Sequence, residues 1–158
     1  MKIRETYFLN NVDRSAIREL WNSEYPQIMA HDTDESLGAY LTKLDDAHHV
    51  LMEFNNQLVG WMCDFERNTE RWFVIIIDRS VQHQGWGSHL LEYLDSEQMH
   101  YGWILSSEGQ LRADGTPYPR TEAFYTKNGF TIEPVETHSE NGLVFQRICR
   151  MARVPRHV

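Results

Sequence analysis

Cysteine is scarce in this chain: two among 158 residues, Cys63 and Cys149, at no metal-type spacing. That excludes a disulfide framework or a cysteine-built metal site and points to reduced thiols in a cytoplasmic protein. Positive charge is also short, with 15 Lys and Arg against 23 Asp and Glu, a net charge of −8. Non-specific nucleic-acid binding depends on neutralising phosphates and is not expected; long-range attraction tilts weakly toward cationic partners. Long apolar runs are missing. The longest, Trp72 to Ile77, is far short of the ~20 residues that cross a bilayer, and no membrane association is expected. The opening MKIRETYF lacks the apolar core of a secretory signal. No repeat, low-complexity tract or long linker interrupts the chain, so residues 1–158 are expected to form a single domain. What is present suffices for a packed core: 41% hydrophobic and 24% charged residues exclude bulk disorder.

The order of elements follows from periodicity and turn chemistry. Lys2 to Leu9 alternates as a first strand, and residues 13–24 carry Ile17, Leu20 and Trp21 at helical spacing, with Asp13 as the expected N-cap. Tyr25-Pro26 ends that helix. A second helix is expected from near Asp32, with Glu35 completing a capping box and a stripe of Leu37, Tyr40, Leu41 and Leu44. His49 to Phe54 and Gln57 to Phe65 flank Asn55-Asn56, a pair suited to a tight hairpin. Residues 71–78 are apolar almost throughout, as in a central strand covered on both faces. A helix from about Gly87 to Met99, a short strand from Trp103 to Ser106, a long loop over 107–120 and a short helix ending at Gly129 follow. Thr131 to Glu136 and Leu143 to Arg150, joined at Asn141-Gly142, close the chain as a hairpin. The sum is a mixed α/β layered fold, β-α-α-β-β-β-α-β-α-β-β.

Chemistry concentrates where the apolar strand ending at Asp78 runs through Arg79-Ser-Val-Gln-His-Gln-Gly-Trp-Gly-Ser88 into a helix. A helix start offers unpaired N–H groups and a positive dipole end, and glycines at 85 and 87 let a phosphate approach the backbone. Such a site needs no basic patch. Taken alone, the segment equally fits an ordinary strand-to-helix turn. It is neither a Rossmann fingerprint, whose third glycine would fall at Leu90, nor a Walker loop, because Gly87 runs directly into Ser88. A metal site is not expected either. His48 and His49 point to opposite strand faces, and His83 and His89 lack the i, i+4 relation of helical ligands.

Gln82-His83-Gln84-Gly85-Trp86-Gly87 fits Q/R-x-x-G-x-G/A, and Ala123-Phe-Tyr-Thr-Lys-Asn-Gly-Phe130 looks like the block A-x-x-F-Y-x-K-x-G-F, matching it from Phe124 to Phe130. Together with the strand order, these segments resemble the GNAT superfamily of N-acetyltransferases. The specific part of the likeness lies in residues 75–91 and 123–130. Four positions depart from the family pattern: Gln82 and His83 stand where Arg and Gly are common, Arg79 where a proline is common, and Tyr118 where an asparagine often contacts pantetheine.

The resemblance implies a mixed, partly antiparallel sheet with a splayed strand pair and flanking helices. It implies acetyl-coenzyme A as co-substrate, pantetheine beside the backbone of Ile75 and Ile77, and the pyrophosphate on Gln82, His83, Gln84, Gly85, Trp86, Gly87 and Ser88. An amine would attack the thioester directly in a ternary complex, and Tyr125 matches the residue that protonates the departing thiolate. The acceptor would be a primary amine of a small molecule or peptide, with a tilt toward cationic acceptors, and the protein a monomer or homodimer. The Tyr25 to Asp32 segment and loop 107–120 are the expected acceptor walls. Four carboxylates, Asp64, Glu66, Asp78 and Glu108, or a chain of waters, remain open as the base. A non-catalytic acyl-coenzyme A sensor of the same fold is the rival function.

Overall fold

The structure is a computed structural model and describes residues 1–153; the last five residues of the expected domain lie outside the described residues. Seven strands form one sheet in the order β1-β2-β3-β4-β5-β7-β6. They are β1 (Lys2–Thr6), β2 (Asp45–Phe54), β3 (Gln57–Arg67), β4 (Glu70–Ile77), β5 (His100–Leu105), β6 (Thr131–Glu140) and β7 (Leu143–Arg150). The helices are α1 (Asn11–Glu24), α2 (Asp34–Thr42), α3 (Trp86–Leu91) and α4 (Glu122–Lys127). All pairings are antiparallel except β4 with β5. The expected element order and mixed sheet are thus observed. No helix among the described residues is long and apolar enough to cross a membrane.

β4 explains the two-layered core. Its Phe73 and Ile75 join Met62, Leu90, Leu91 and Ile148 on the α3 face. Its Trp72 and Ile76 join Ile17, Leu37 and Trp61 on the α1–α2 face. The two hairpin turns use the expected residues, at φ 51° and 61° for Asn55 and Asn56 and at 51° and 78° for Asn141 and Gly142.

Several boundaries differ from the sequence reading, each for a local reason. β1 stops at Thr6 because its hydroxyl turns back to bond the Phe8 carbonyl and amide. The N-cap of α1 is Asn10, not Asp13; Asp13 closes the reciprocal capping box and pairs with Arg4 at 2.7 Å. Thr33 rather than Asp32 caps α2, accepting from the Ser36 amide at 3.1 Å. β2 and β5 begin earlier than expected, at Asp45 and His100. α3 ends at Leu91, far short of Met99. The amides of Glu92, Tyr93 and Leu94 bond only three residues back, and Asp95 then caps a turn through the Glu97 amide. Leu94 is still buried, so the apolar spacing that suggested a long helix survives without one.

His48 and His49 do face opposite ways. His48 bridges Glu5 and Asp64 at 3.0 Å each, whereas His49 is buried and its Nδ1 accepts from the Trp61 indole at 3.2 Å. Burial, reinforced by the charge of His48, lowers the His49 pKa to about 4. The unfolded imidazole binds a proton below about pH 6.5, so between pH 6.5 and 4 the unfolded state holds more protons. Stability should fall as pH drops through that window, by at most ~1.4 kcal/mol per pH unit from this group. Denaturant midpoints at pH 7 and 4.5 test it: His49→Asn, which keeps an acceptor, should show a shallower loss than wild type. Parallel losses would assign the acid sensitivity elsewhere.

Candidate functional site

β4 and β5 pair only at Arg71 with His100 and Trp72 with Tyr101. Beyond that they part. The Phe73 ring lies over Gly102, where a Cβ would come within 2.8 Å of it, and packs on Phe130 at 5.1 Å and Tyr125 at 6.1 Å. On its other side β4 stays paired with β3 to its end, the Asp78 amide bonding the Val59 carbonyl at 2.8 Å. Residues 78, 76 and 74 therefore direct their backbone groups at β3, and strand alternation turns those of Ile75 and Ile77 into the gap beside β5. Buried backbone groups need partners. The Ile77 carbonyl has one in the Gln82 side-chain amide, at 2.8 Å.

The turn at the mouth of this gap is built in three steps. Asp78 Oδ1 accepts from the Ser80 amide and hydroxyl at 2.8 and 2.6 Å, fixing a tight turn over 79–81. His83 then adopts φ +60° and Gly85 φ +85°, and α3 starts at Trp86. A left-handed backbone costs a side-chain-bearing residue ~1 kcal/mol, which accounts for the glycine common in the family at the His83 position. The two glycines of the motif do different work. Gly85 has open space where a Cβ would stand; at Gly87 a Cβ would meet Phe124 at 2.9 Å, so this glycine lets α3 and α4 approach. The first amides of α3 lack intrahelical partners and open at Gly85. Trp86 is half-buried against the core, and Gln84 folds back on the Ser80 carbonyl.

Tyr125 sits on α4 with its ring against Phe73, Phe124 and Phe130. Its hydroxyl makes no hydrogen bond among the described residues. Burial, with Tyr118 alongside, pushes its pKa well above the ordinary phenol value. Burial likewise raises Tyr118 to about 12 and Tyr25 well above 10, the Tyr25 and Tyr118 rings lying 6.3 Å apart. Tyr25 and Tyr118 are thus a pair of neutral phenols, which the sequence did not bring together.

A buried ionic knot holds these phenols in place. Glu24, at the end of α1, accepts from the Arg79 amide and Nε at 3.1 and 3.2 Å and from Arg112 Nη2 at 3.3 Å. Arg79 continues to Asp114 at 2.6 Å and Arg112 to the Glu24 carbonyl at 3.2 Å. Loop 107–120 is in this way a small pinned hairpin, with Gln27 bonding Leu111 and Arg112 bonding Thr116 through the backbone. Arg79, in the usual proline position, belongs to this knot.

Of the four carboxylates left open as bases, none is directed freely at the gap. Asp64 is held by His48 and Arg71. With Glu66, it lines a polar cavity alongside Glu5, Asp46 and Asp95, beyond the paired end of β4. Asp78 caps its own turn, and Glu108 pairs with Arg120. Among the described residues, no cluster of His, Cys, Asp or Glu is arranged to hold a metal ion.

Residues 45–132, more than half of the chain, match the family described as acetyltransferase (GNAT) domain. No curated protein matches the sequence. Solved structures do share the fold. An aminoglycoside 6'-N-acetyltransferase complexed with coenzyme A aligns over 100% of both chains at 16% identity and TM-score 0.71. A ribosomal-protein-alanine N-acetyltransferase from Brucella melitensis covers 96% of this chain and 99% of its own at 15% identity and TM-score 0.67. The yncA protein of Salmonella typhimurium, with its cofactor acetyl-CoA, covers 100% and 98% at 16% identity and TM-score 0.63. At such identities the likeness concerns the fold.

Proposed function

The chain belongs to the GNAT acetyltransferase family, and on that premise we propose that it transfers an acetyl group from acetyl-coenzyme A to a primary amine by direct attack in a ternary complex. The observation that carries this is the β4–β5 gap, with the backbone of Ile75 and Ile77 turned into it. A pantetheine arm, itself a chain of amides, supplies the hydrogen bonds a third strand would make. Residues 83–88 bind the diphosphate through amides at the start of α3. Gln82 acts one step back, bracing the turn against Ile77. Tyr125 donates a hydrogen bond to the thiolate as it forms.

The acceptor is a small-molecule or peptide amine entering between Tyr25, Tyr118 and the pinned loop. The acidity of the chain gives it little pull toward polycations there. Glu24, Asp114 and Glu108 are each already paired with arginine. An alkyl ammonium is about 0.1% neutral at pH 7.4, a cost near 4 kcal/mol, and with no free carboxylate at the gap the proton leaves through water.

A coenzyme A release assay over primary amines of varied charge tests the proposal. Turnover with at least one amine is expected, together with thermal stabilisation by coenzyme A equivalent to about 2.7 kcal/mol at 100 times its Kd. Stabilisation without turnover across the panel would make the protein a non-catalytic acyl-coenzyme A sensor. No stabilisation would remove the cofactor and the reaction together.

A further inference from the structure

The two mouths of the β4–β5 gap differ in chemistry. On the α3 face stand Ile77, Trp86, Phe124 and Tyr125, beside the turn over 82–88. A coenzyme arm entering there leaves the α1–α2 face for the second substrate of a ternary complex. Extending the register of Trp72 with Tyr101 by two residues sets Val74 opposite Trp103. Both pack on the α1–α2 side, so they form the lips of that mouth.

Trp103 belongs to a run of rings. Its centroid lies 5.3 Å from that of Trp72 and 5.7 Å from that of His138, at interplanar angles of 33° and 35°. Trp72 continues to Tyr101 at 5.5 Å, and Tyr25 shares the same face of the sheet. Trp103 is only half-buried, which leaves apolar ring surface at the mouth itself. The charges along this run are set against a second ammonium group. Arg67 lies over the Trp72 ring at 5.2 Å and Arg147 over the Tyr101 ring at 4.6 Å, so each of those rings already holds a cation. A further cation brought beside them is repelled. Glu133 is paired with Arg147 at 2.6 Å. Trp72 Nε1 is buried without a hydrogen-bond partner among the described residues, and an indole nitrogen can only donate. A flat, uncharged ring fits such a wall, because aromatic pairs gain from tilted or offset contact at centroid distances like these.

We infer that the acceptor is a primary amine carried on a flat aromatic ring, which stacks on Trp103 while its amino group enters the gap. The inference rests on the acetyl-transfer proposal; it adds the substrate class and makes Trp103 the residue that selects it. The amine nitrogen bonds the acetyl carbon and the carbon–sulfur bond breaks. Of the two protons that leave the ammonium nitrogen, one goes to the coenzyme sulfur and one to water.

Coenzyme A release by the full chain with 2-phenylethylamine, n-butylamine and spermidine tests this. The ring-bearing amine should show a kcat/KM about tenfold or more above either of the others. Trp103→Leu should shrink that preference several-fold, chiefly through KM, and Trp103→Phe, which keeps a ring, should retain most of it. Spermidine or n-butylamine used as well as 2-phenylethylamine by the wild type would overturn the ring-bearing acceptor and leave acetyl transfer standing. An unchanged preference in Trp103→Leu, or an equal loss with all three amines, would overturn Trp103 as the selecting residue. No release with 2-phenylethylamine would overturn the substrate class as well, the wider amine panel deciding acetyl transfer separately.

Discussion

Tyr125→Phe should lower kcat for acetyl transfer at least tenfold, and up to about a hundredfold, with folding and coenzyme A affinity near wild type. The substitution removes one oxygen that bonds nothing among the described residues and keeps the ring contacts to Phe73, Phe124 and Phe130. Stability should therefore change by less than ~0.5 kcal/mol. The raised pKa of the phenol fixes the kind of help it gives. Against a thiolate of ordinary pKa ~8.5, full proton transfer from such a phenol is uphill, so Tyr125 acts chiefly as a hydrogen-bond donor to sulfur as charge builds. That places the effect at the lower end of general-acid losses. It also predicts that the wild-type rate shows no decline from Tyr125 ionisation below pH 10. Release of coenzyme A at an unchanged rate by Tyr125→Phe, with an accepted amine, would remove the residue from the reaction.

Glu24→Ala should destabilise the fold by about 3–5 kcal/mol, the usual cost of stripping one partner from a buried ion pair. The Glu24 side chain is 6% exposed and that of Arg112 9%. Removing the carboxylate leaves Arg112 buried without its counter-ion and frees Arg79 from α1. The companion variant separates packing from charge. Glu24→Ala combined with Arg112→Ala should cost clearly less than the two single changes added, because the second truncation removes the orphaned charge. Chemical denaturation of the four proteins gives the comparison. Additive losses, or a single-variant loss below ~1 kcal/mol, would mean that the knot is solvated and does not hold loop 107–120.

Much of the architecture was legible because its signals are local. The Asn55-Asn56 and Asn141-Gly142 turns and the apolar run of β4 each report on a few adjacent residues. Boundaries were less legible where two local signals competed. Asp13 and Asp32 looked like helix-start residues, yet Asn10 and Thr33 occupy the cap positions. Leu90, Leu91 and Leu94 kept helical spacing through a segment that leaves the helix after Leu91.

The site divides along the same line. The turn over 82–88 and the segment around Tyr125 were readable as motifs, because a left-handed turn and a close helix contact both demand glycine in sequence order. Glu24 and Arg112 carried no such mark, and Arg79 and Tyr118 stood out only as departures from the family pattern; the arginine partners of Glu24 lie 55 and 88 residues away in the chain. By itself the sequence determined the element order, the glycine turn after β4 and the family, since these depend on backbone conformation and short-range spacing. The tertiary structure alone decided which carboxylates are already paired and which arginines Glu24 binds, because burial and Coulomb energy depend on distances that only folding sets.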